Sequence, residues 1–163
     1  MKEEKPFEMT QKSTYPLAES KCKVRPPGPP DYDRMAELAV QLGYQSTGKE
    51  IRARLGEMQD SNQYVVYIAE LPGGQIAGWI GIYVFRAVEL DKCAEISGFV
   101  VDEQIRSRGI GKLLLAAAEE WARNHGCEAI SVKSNVTRNR AHGFYEKNGY
   151  VWAKTQASFH KNL

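Results

Sequence analysis

The segment Arg106-Ser107-Arg108-Gly109-Ile110-Gly111-Lys112 runs without a break into Leu113-Leu114-Leu115-Ala116-Ala117-Ala118, and an apolar run, Ile96-Ser97-Gly98-Phe99-Val100-Val101, ends just before it. An apolar run, then two glycines, then a helical pattern places Gly109 and Gly111 at a strand-to-helix turn. Such a turn is suited to anions. The first N–H groups of a helix have no partner inside it and carry partial positive charge, and glycine lets a ligand approach them closely. Arg106, Arg108 and Lys112 add full charges at the same point. Phosphate is the guest this chemistry favours.

Spacing separates three phosphate-binding patterns. A Walker-type loop ending at Gly111-Lys112 needs glycine where Arg106 stands and Ser or Thr where Leu113 stands. A dinucleotide fingerprint starting at Gly109 accepts Gly111 but needs a small residue at Leu114, where bulk spoils helix-to-strand packing. An ATP-binding role is disfavoured on these grounds. The third pattern, Arg/Gln-x-x-Gly-x-Gly/Ala after a buried strand, is met by Arg106, Gly109 and Gly111.

Composition bounds the possibilities. A chain of 163 residues with 42% hydrophobic and 26% charged residues fits one globular domain with a real core. The net charge of +2, with basic residues scattered except near the loop, gives no reason to expect nucleic acid as a partner. No apolar run approaches the roughly eighteen residues of a membrane span, and the start of the chain has no apolar signal core, so a cytoplasmic location is expected. Cys22, Cys93 and Cys127 are odd in number and widely spaced, which argues against a disulfide framework or a zinc site. No metal is expected.

Residues 1–20 are polar, hold Pro6 and Pro16 and show no period, so they read as a flexible extension ahead of a domain at 21–163. A short strand at 21–25 is closed by Pro26-Pro27-Gly28-Pro29-Pro30. A helix capped by Asp31 or Asp33 follows, burying Met35, Leu38, Ala39 and Leu42 and stopping at Gly43. Ser46 or Thr47 opens a second helix with Ile51, Leu55 and Met58 on one side, ending near Asp60. Strands at 64–70 and 75–85 flank the turn Leu71-Pro72-Gly73-Gly74. Gly78 and Gly81 in the second of them suggest a bulge or close packing by a helix. A loop at 86–92 leads to a strand at 93–101, whose continuous apolar end implies burial on both faces. The helix after the phosphate loop carries Ile110, Leu113, Leu114, Ala117, Ala118 and Trp121 on one stripe and stops at His125-Gly126. A strand at 129–133, a helix at 139–147 and closing strands at 150–153 and 157–160 complete the pattern.

A second segment, Asn139-Arg140-Ala141-His142-Gly143-Phe144-Tyr145-Glu146-Lys147-Asn148-Gly149-Tyr150, lies about thirty residues beyond the loop. Together the two segments, in this order, resemble the GNAT superfamily of N-acetyltransferases, and the succession of elements is similar from residue 21 onward. The resemblance implies an α/β (α+β) fold: a mixed, mostly antiparallel central sheet of six to seven strands flanked by about four helices. It also implies a splayed opening between the fourth and fifth strands, where the pantetheine arm of acetyl-CoA would run. Backbone groups of Phe99, Val100 and Val101 would pair with the pantetheine amides. The N–H groups of Arg106, Ser107, Arg108, Gly109, Ile110, Gly111 and Lys112 would hold the pyrophosphate, and Asn139 would contact the cofactor near its thioester.

The implied reaction is acetyl transfer to a primary amine of a small molecule or protein, directly in a ternary complex, with no metal. A protonated amine must lose a proton before attacking a thioester, and the departing thiolate takes one up. Tyr145 resembles the tyrosine that many family members place near the CoA sulfur; a phenol of pKa about 10 can donate to a thiolate whose acid has a pKa about 8.5. Glu95 corresponds to a strand glutamate that in some members deprotonates the amine. The plainer readings are packing for Tyr145 and a salt-bridged strand residue for Glu95. The oxyanion would fall to a backbone N–H near Val100. His125, before a capping glycine, reads as structural; His142 reads as a surface helix residue; Glu89 and Asp91 read as an acidic turn. A catalytically silent acyl-CoA-binding domain is the alternative from another class. A homodimer is conceivable because closing strands of this architecture leave an edge for a second copy.

Overall fold

The computed structural model describes residues 22–59 and 61–163; the expected extension at 1–20, Lys21 and Asp60 lie outside them. Five strands form one sheet in the order β1 (Lys23–Arg25), β2 (Tyr64–Glu70), β3 (Ile76–Ala87), β4 (Leu90–Val101), β5 (Ala129–Val132). The first four are antiparallel neighbours, and β5 joins β4 in parallel, as it must after the crossover through a helix. Each face is covered. Helix α3 (Ile110–Asn124) buries Ile110, Leu114, Leu115, Ala118 and Ala122 against Ala77, Ile80, Ile82, Ala94 and Ile96 of one face. Helices α1 (Tyr32–Gln41) and α2 (Gly48–Gln59) lie over the other, where Met35 and Leu38 meet Val66, Ile68, Ile76 and Val100. Helix α4 (Asn139–Lys147) contributes Phe144 to the α3 side.

Local chemistry accounts for the boundaries. Thr47 and Glu50 form a reciprocal capping box at the start of α2: the Thr47 N–H donates to the Glu50 carboxylate at 2.8 Å and the Glu50 N–H to Thr47 Oγ1 at 3.3 Å. Helix α3 ends at His125, which stacks on Trp121 with ring centroids 4.0 Å apart, and its last carbonyls are satisfied around Gly126. The hydroxyls of Tyr64 and Ser97 explain Gly81, since a Cβ there would lie 2.9 Å and 2.8 Å from them. That glycine also marks a register shift between Gly81 and Ile82, so the expected bulge is present, while the close neighbours are side chains of adjacent strands and not a helix.

Several expectations are corrected. The loop at 86–92 is a tight hairpin: β3 runs to Ala87, β4 starts at Leu90, and Ala87 pairs with Leu90. The polar residues there read as loop, but pairing overrides their weak propensity. The buried stripe of α3 is rotated, with Leu115 and Ala122 inside and Leu113 and Ala117 only half-buried. A run of six apolar residues, 113–118, leaves the phase of the stripe open, and packing decides it. The sheet has five strands among the described residues, not six to seven, because neither 150–153 nor 157–160 pairs with anything. Residues 151–163 form no helix or strand and are exposed. β-rich composition makes a strand only where a ladder partner exists.

Candidate active site

The parallel pairing of β4 with β5 runs only from Cys93 opposite Ala129 to Ile96 opposite Val132. β4 continues to Val101, so residues 97–101 have no neighbour on the β5 side among the described residues. The pairing stops because β5 itself ends at Val132, at the place where the opening between the fourth and fifth strands was expected. Phe99, at its margin, packs on Phe144 and Tyr145 of α4 with centroids 5.7 and 6.4 Å away. Val100 is buried toward α1, and Val101 is half-buried.

At the end of β4 the chain is pinned before it turns. Asp102, 4% exposed, donates its N–H to the Ala77 carbonyl at 2.8 Å. Its carboxylate accepts the Gln104 N–H at 3.1 Å, a weak bond from Gln41 at 3.4 Å, and a close ion pair from Arg34 of α1. The Gln104 N–H, followed by Gln41 and Arg34, holds the Asp102 carboxyl below the usual carboxylate range despite burial. Arg106 folds back, its Nε donating to the Val101 carbonyl at 3.0 Å. Sequence reasoning did not single out Asp102, although an Asp two residues before an amide it can cap is a recognisable signal.

Beyond this anchor the loop is open. Ser107 is held at φ +65° and Gly109 at φ +82°, which turns the backbone into α3. Among the described residues no backbone N–H from Gly109, Ile110, Gly111 or Lys112 donates to another protein group, and those of Arg106, Ser107 and Arg108, in the turn that follows a 3-10 helix at Glu103–Ile105, make no close hydrogen bond; the first helical bond is from Leu113 to the Gly109 carbonyl, 3.1 Å. Gly111 keeps the first turn of α3 close to α4, since a Cβ there would stand 3.3 Å from the Phe144 ring. Arg140 of α4 reaches across and donates to Ser107 Oγ at 3.1 Å, a cation at the loop that the sequence reading had passed over. Asn139, beside it, is the exposed first residue of α4 and makes no side-chain bond to another described residue.

Tyr145 sits behind Asn139 on α4, between Phe99, Phe144 and Tyr150. Burial pushes its phenol up to about 12, and the neighbouring Arg138 cation works against that rise. Its hydroxyl makes no hydrogen bond within the described chain. Glu95, 9% exposed, lies on the α1/α2 face of β4 opposite Tyr83. Tyr83 donates to Glu95 Oε1 at 2.6 Å and Lys133 to the same oxygen at 3.0 Å, so Oε2 takes no bond from a described residue. Burial, and secondarily the bond to Glu95, raise the Tyr83 phenol to about 12. The stacked rings of Tyr64 and Tyr83, 6.1 Å apart, and the 2.6 Å bond between the Tyr64 and Ser97 hydroxyls extend this polar floor. The acidic turn residues Glu89 and Asp91 and the helix residue His142 stay outside it; His142 bonds the Asn135 carbonyl at 3.0 Å. No group of metal-ligating side chains occurs among the described residues.

Residues 32–150 match the acetyltransferase (GNAT) family, a span that takes in α1, the loop and α4. The chain belongs to the GNAT acetyltransferase family. As a GNAT enzyme it is an acetyl-CoA-dependent N-acetyltransferase. It is 35% identical over 114 residues to the aminoalkylphosphonate N-acetyltransferase of Salmonella typhimurium, covering 69% of this chain and 71% of that one. Its fold is similar to the crystal structure of glucosamine-6-phosphate N-acetyltransferase from Arabidopsis thaliana, with a TM-score of 0.76 and 23% identity over 86% of this chain and 99% of that one. It is also similar to the aminoglycoside N-acetyltransferase AAC(6')-Iy in complex with CoA, with a TM-score of 0.75 and 18% identity over 87% of this chain and 95% of that one.

Proposed function

We propose that this GNAT enzyme transfers the acetyl group of acetyl-CoA to the primary amine of a small molecule, directly in a ternary complex, through a site built at the parting of β4 and β5. The observation that carries the reading is the row of unpaired amides from Arg106 to Lys112 at the open end of β4. A row of N–H groups at a helix start, with Arg106, Arg108, Lys112 and Arg140 around it, matches a diphosphate in charge and donor count. The edge groups of Phe99 and Val101, on the side of β4 away from β3, take the pantetheine amides; Val100 stands in register with Trp79, and its N–H faces β3 as that of Asp102 does, so the oxyanion falls to a neighbouring edge N–H instead. Asn139 lies toward the thioester end. The thioester supplies an activated acetyl group; the protein supplies proton management. Tyr145 protonates the departing sulfur, its high pKa keeping it in the acid form at neutral pH. Glu95, oriented through Oε1 by Tyr83 and Lys133, offers Oε2 to the acceptor ammonium, directly or through water.

Similarity to an aminoalkylphosphonate N-acetyltransferase and to an aminoglycoside N-acetyltransferase supports a small amine ahead of a protein amino group as acceptor. Residues 21–163 act as one transferase unit, and the cytoplasm, where acetyl-CoA is made and used, is its place of action. No helix among the described residues is long and apolar enough to cross a membrane. The open outer edge of β5 and the exposed Val151, Trp152, Phe159 and Leu163 favour a homodimer in which a second copy covers them, and light scattering on the full chain reports it. The test of the function is direct. Acetyl-CoA stabilises the fold against heat and ATP does not, by mass action on the folded state. In a free-thiol assay with an amine panel, Tyr145→Phe loses about a hundredfold in kcat while its acetyl-CoA affinity stays as in the parent. A Tyr145→Phe enzyme with full turnover removes the tyrosine from the mechanism.

A further inference from the structure

Lys133 is the first residue past the end of β5, and Val132 before it is the last to pair with β4, opposite Ile96. It therefore stands where the bonding between the two strands stops. Its side chain turns to the face that carries Glu95, and Nζ donates to Glu95 Oε1 at 3.0 Å. The two partners are unlike: the Glu95 side chain is 11% exposed and that of Lys133 is 73% exposed. The carboxylate is held to the sheet by the Tyr83 hydroxyl, 2.6 Å away, whereas the lysine reaches it from solvent on a flexible four-carbon stem. An ion pair with one partner this exposed adds little to stability, because water screens it and the long side chain must be ordered to make it. Among the described residues no other lysine pairs with a carboxylate.

A primary amine hydrogen-bonded to the base is the arrangement an acceptor needs. We propose that Lys133 is itself an acceptor: with acetyl-CoA bound and no external amine present, the enzyme acetylates its own Lys133 within the same chain. The proposal rests on the roles given above to Glu95 and Tyr145. Lys133 gives one ammonium proton to Glu95, and the freed nitrogen lone pair attacks the thioester carbonyl carbon. The C–S bond breaks with its electron pair on sulfur, Tyr145 protonates that sulfur, and the second nitrogen proton returns to the tyrosine through water. The products are CoA and a neutral acetyl-lysine, and the proton on Glu95 passes to solvent. A tethered amine meets the thioester without an encounter from solution, which favours Lys133 over other lysines of the chain. Acetylation removes the charge, so it also ends the ion pair and leaves the Glu95 carboxylate with the Tyr83 hydroxyl.

The full chain incubated with acetyl-CoA alone, then read by intact mass and peptide mapping, tests it. The expected result is one acetyl group per chain, on Lys133, added at least about tenfold faster than on Lys49 of α2 or Lys147 of α4, exposed lysines that report uncatalysed transfer. Its rate constant should not change with enzyme concentration, as transfer within one chain requires. Glu95→Gln should bring Lys133 down to the rate of Lys49, and Lys133→Arg, which keeps a cation beside Glu95, should leave the chain without the fast acetyl group. A parent chain in which Lys133 gains acetyl no faster than Lys49, while the amine panel is still turned over, overturns the proposal, and that measurement needs no variant to fold. So does a rate constant that rises with enzyme concentration, which would make Lys133 a substrate of other copies. If neither Lys133 nor any added amine is acetylated, the transferase site itself is wrong and the proposal falls with it, a failure that the amine assay tells apart from the first.

Discussion

Asp102 and Gly109 belong to the same connection between β4 and α3, yet the chain treats them in opposite ways. Around Asp102 the polar groups are closed off: its carboxylate has donors from Arg34, Gln41 and Gln104, and its N–H is taken by Ala77. Around Gly109 the amides have no partner within the described residues. Exposed amides on a slack loop would bend to satisfy one another or be lost to disorder. Held by a buried carboxylate on one side and by α3 on the other, they stay pointed outward, and their unmet bonding is available to a ligand at little reorganisation cost.

The difference can be broken at three places. The largest effect is expected at the floor of the cleft. Glu95→Gln keeps the shape and an oxygen for Tyr83 and Lys133 but removes the base, so kcat/KM for the acceptor should fall about a hundredfold at neutral pH, with acetyl-CoA affinity unchanged. Equal loss of acetyl-CoA binding would make Glu95 a structural residue, as its two partners alone would suggest. The next effect belongs to the open half of the loop. Gly109 sits at φ +82°, a conformation in which a β-branched side chain is strained, so Gly109→Val must either move the amides or crowd them. Calorimetric titration should show acetyl-CoA affinity lower by about ten- to a hundredfold. Retained affinity would mean that the diphosphate is held elsewhere.

These contrasts also show how far the sequence could be read. The loop and α4 were legible because backbone geometry and spacing leave few options: two glycines at a strand-to-helix turn, then an asparagine and a tyrosine at fixed helical positions. The bounds of α4 came out as Asn139–Lys147, and β2 as Tyr64–Glu70. The hairpin at 86–92 and the closing strands at 150–153 and 157–160 were misjudged in opposite directions, one paired against its composition and the others unpaired despite it. Both errors concern ladder partners, which one-dimensional patterns do not contain. Asp102, Lys133 and Arg140 were missed for a related reason. Their significance lies in bonds to Arg34, Glu95 and Ser107, at sequence separations of 68, 38 and 33 residues. A charged residue says little until its partner, or the lack of one, is seen.

The smallest kinetic effect and the clearest thermodynamic one are expected at Asp102. Asp102→Ala leaves Arg34 without its buried partner and the Gln104 N–H without its acceptor, and should lower stability by about 2 kcal/mol. The parent's dependence on pH gives an independent reading. The Asp102 carboxyl has a depressed pKa in the folded chain, chiefly through the Gln104 N–H, so the folded state binds its proton less readily than the unfolded one. Its stabilising contribution is therefore complete above the unfolded carboxyl pKa of about 3.9 and is lost as pH falls below that value through the folded pKa. Denaturation followed between neutral pH and about pH 3 should show a shallower acid decline for Asp102→Ala than for the parent, because one of the groups that takes up a proton on acid unfolding is gone. If the two curves stay parallel, Asp102 is not the anchor, and the loop's amides must be held outward by α3 alone.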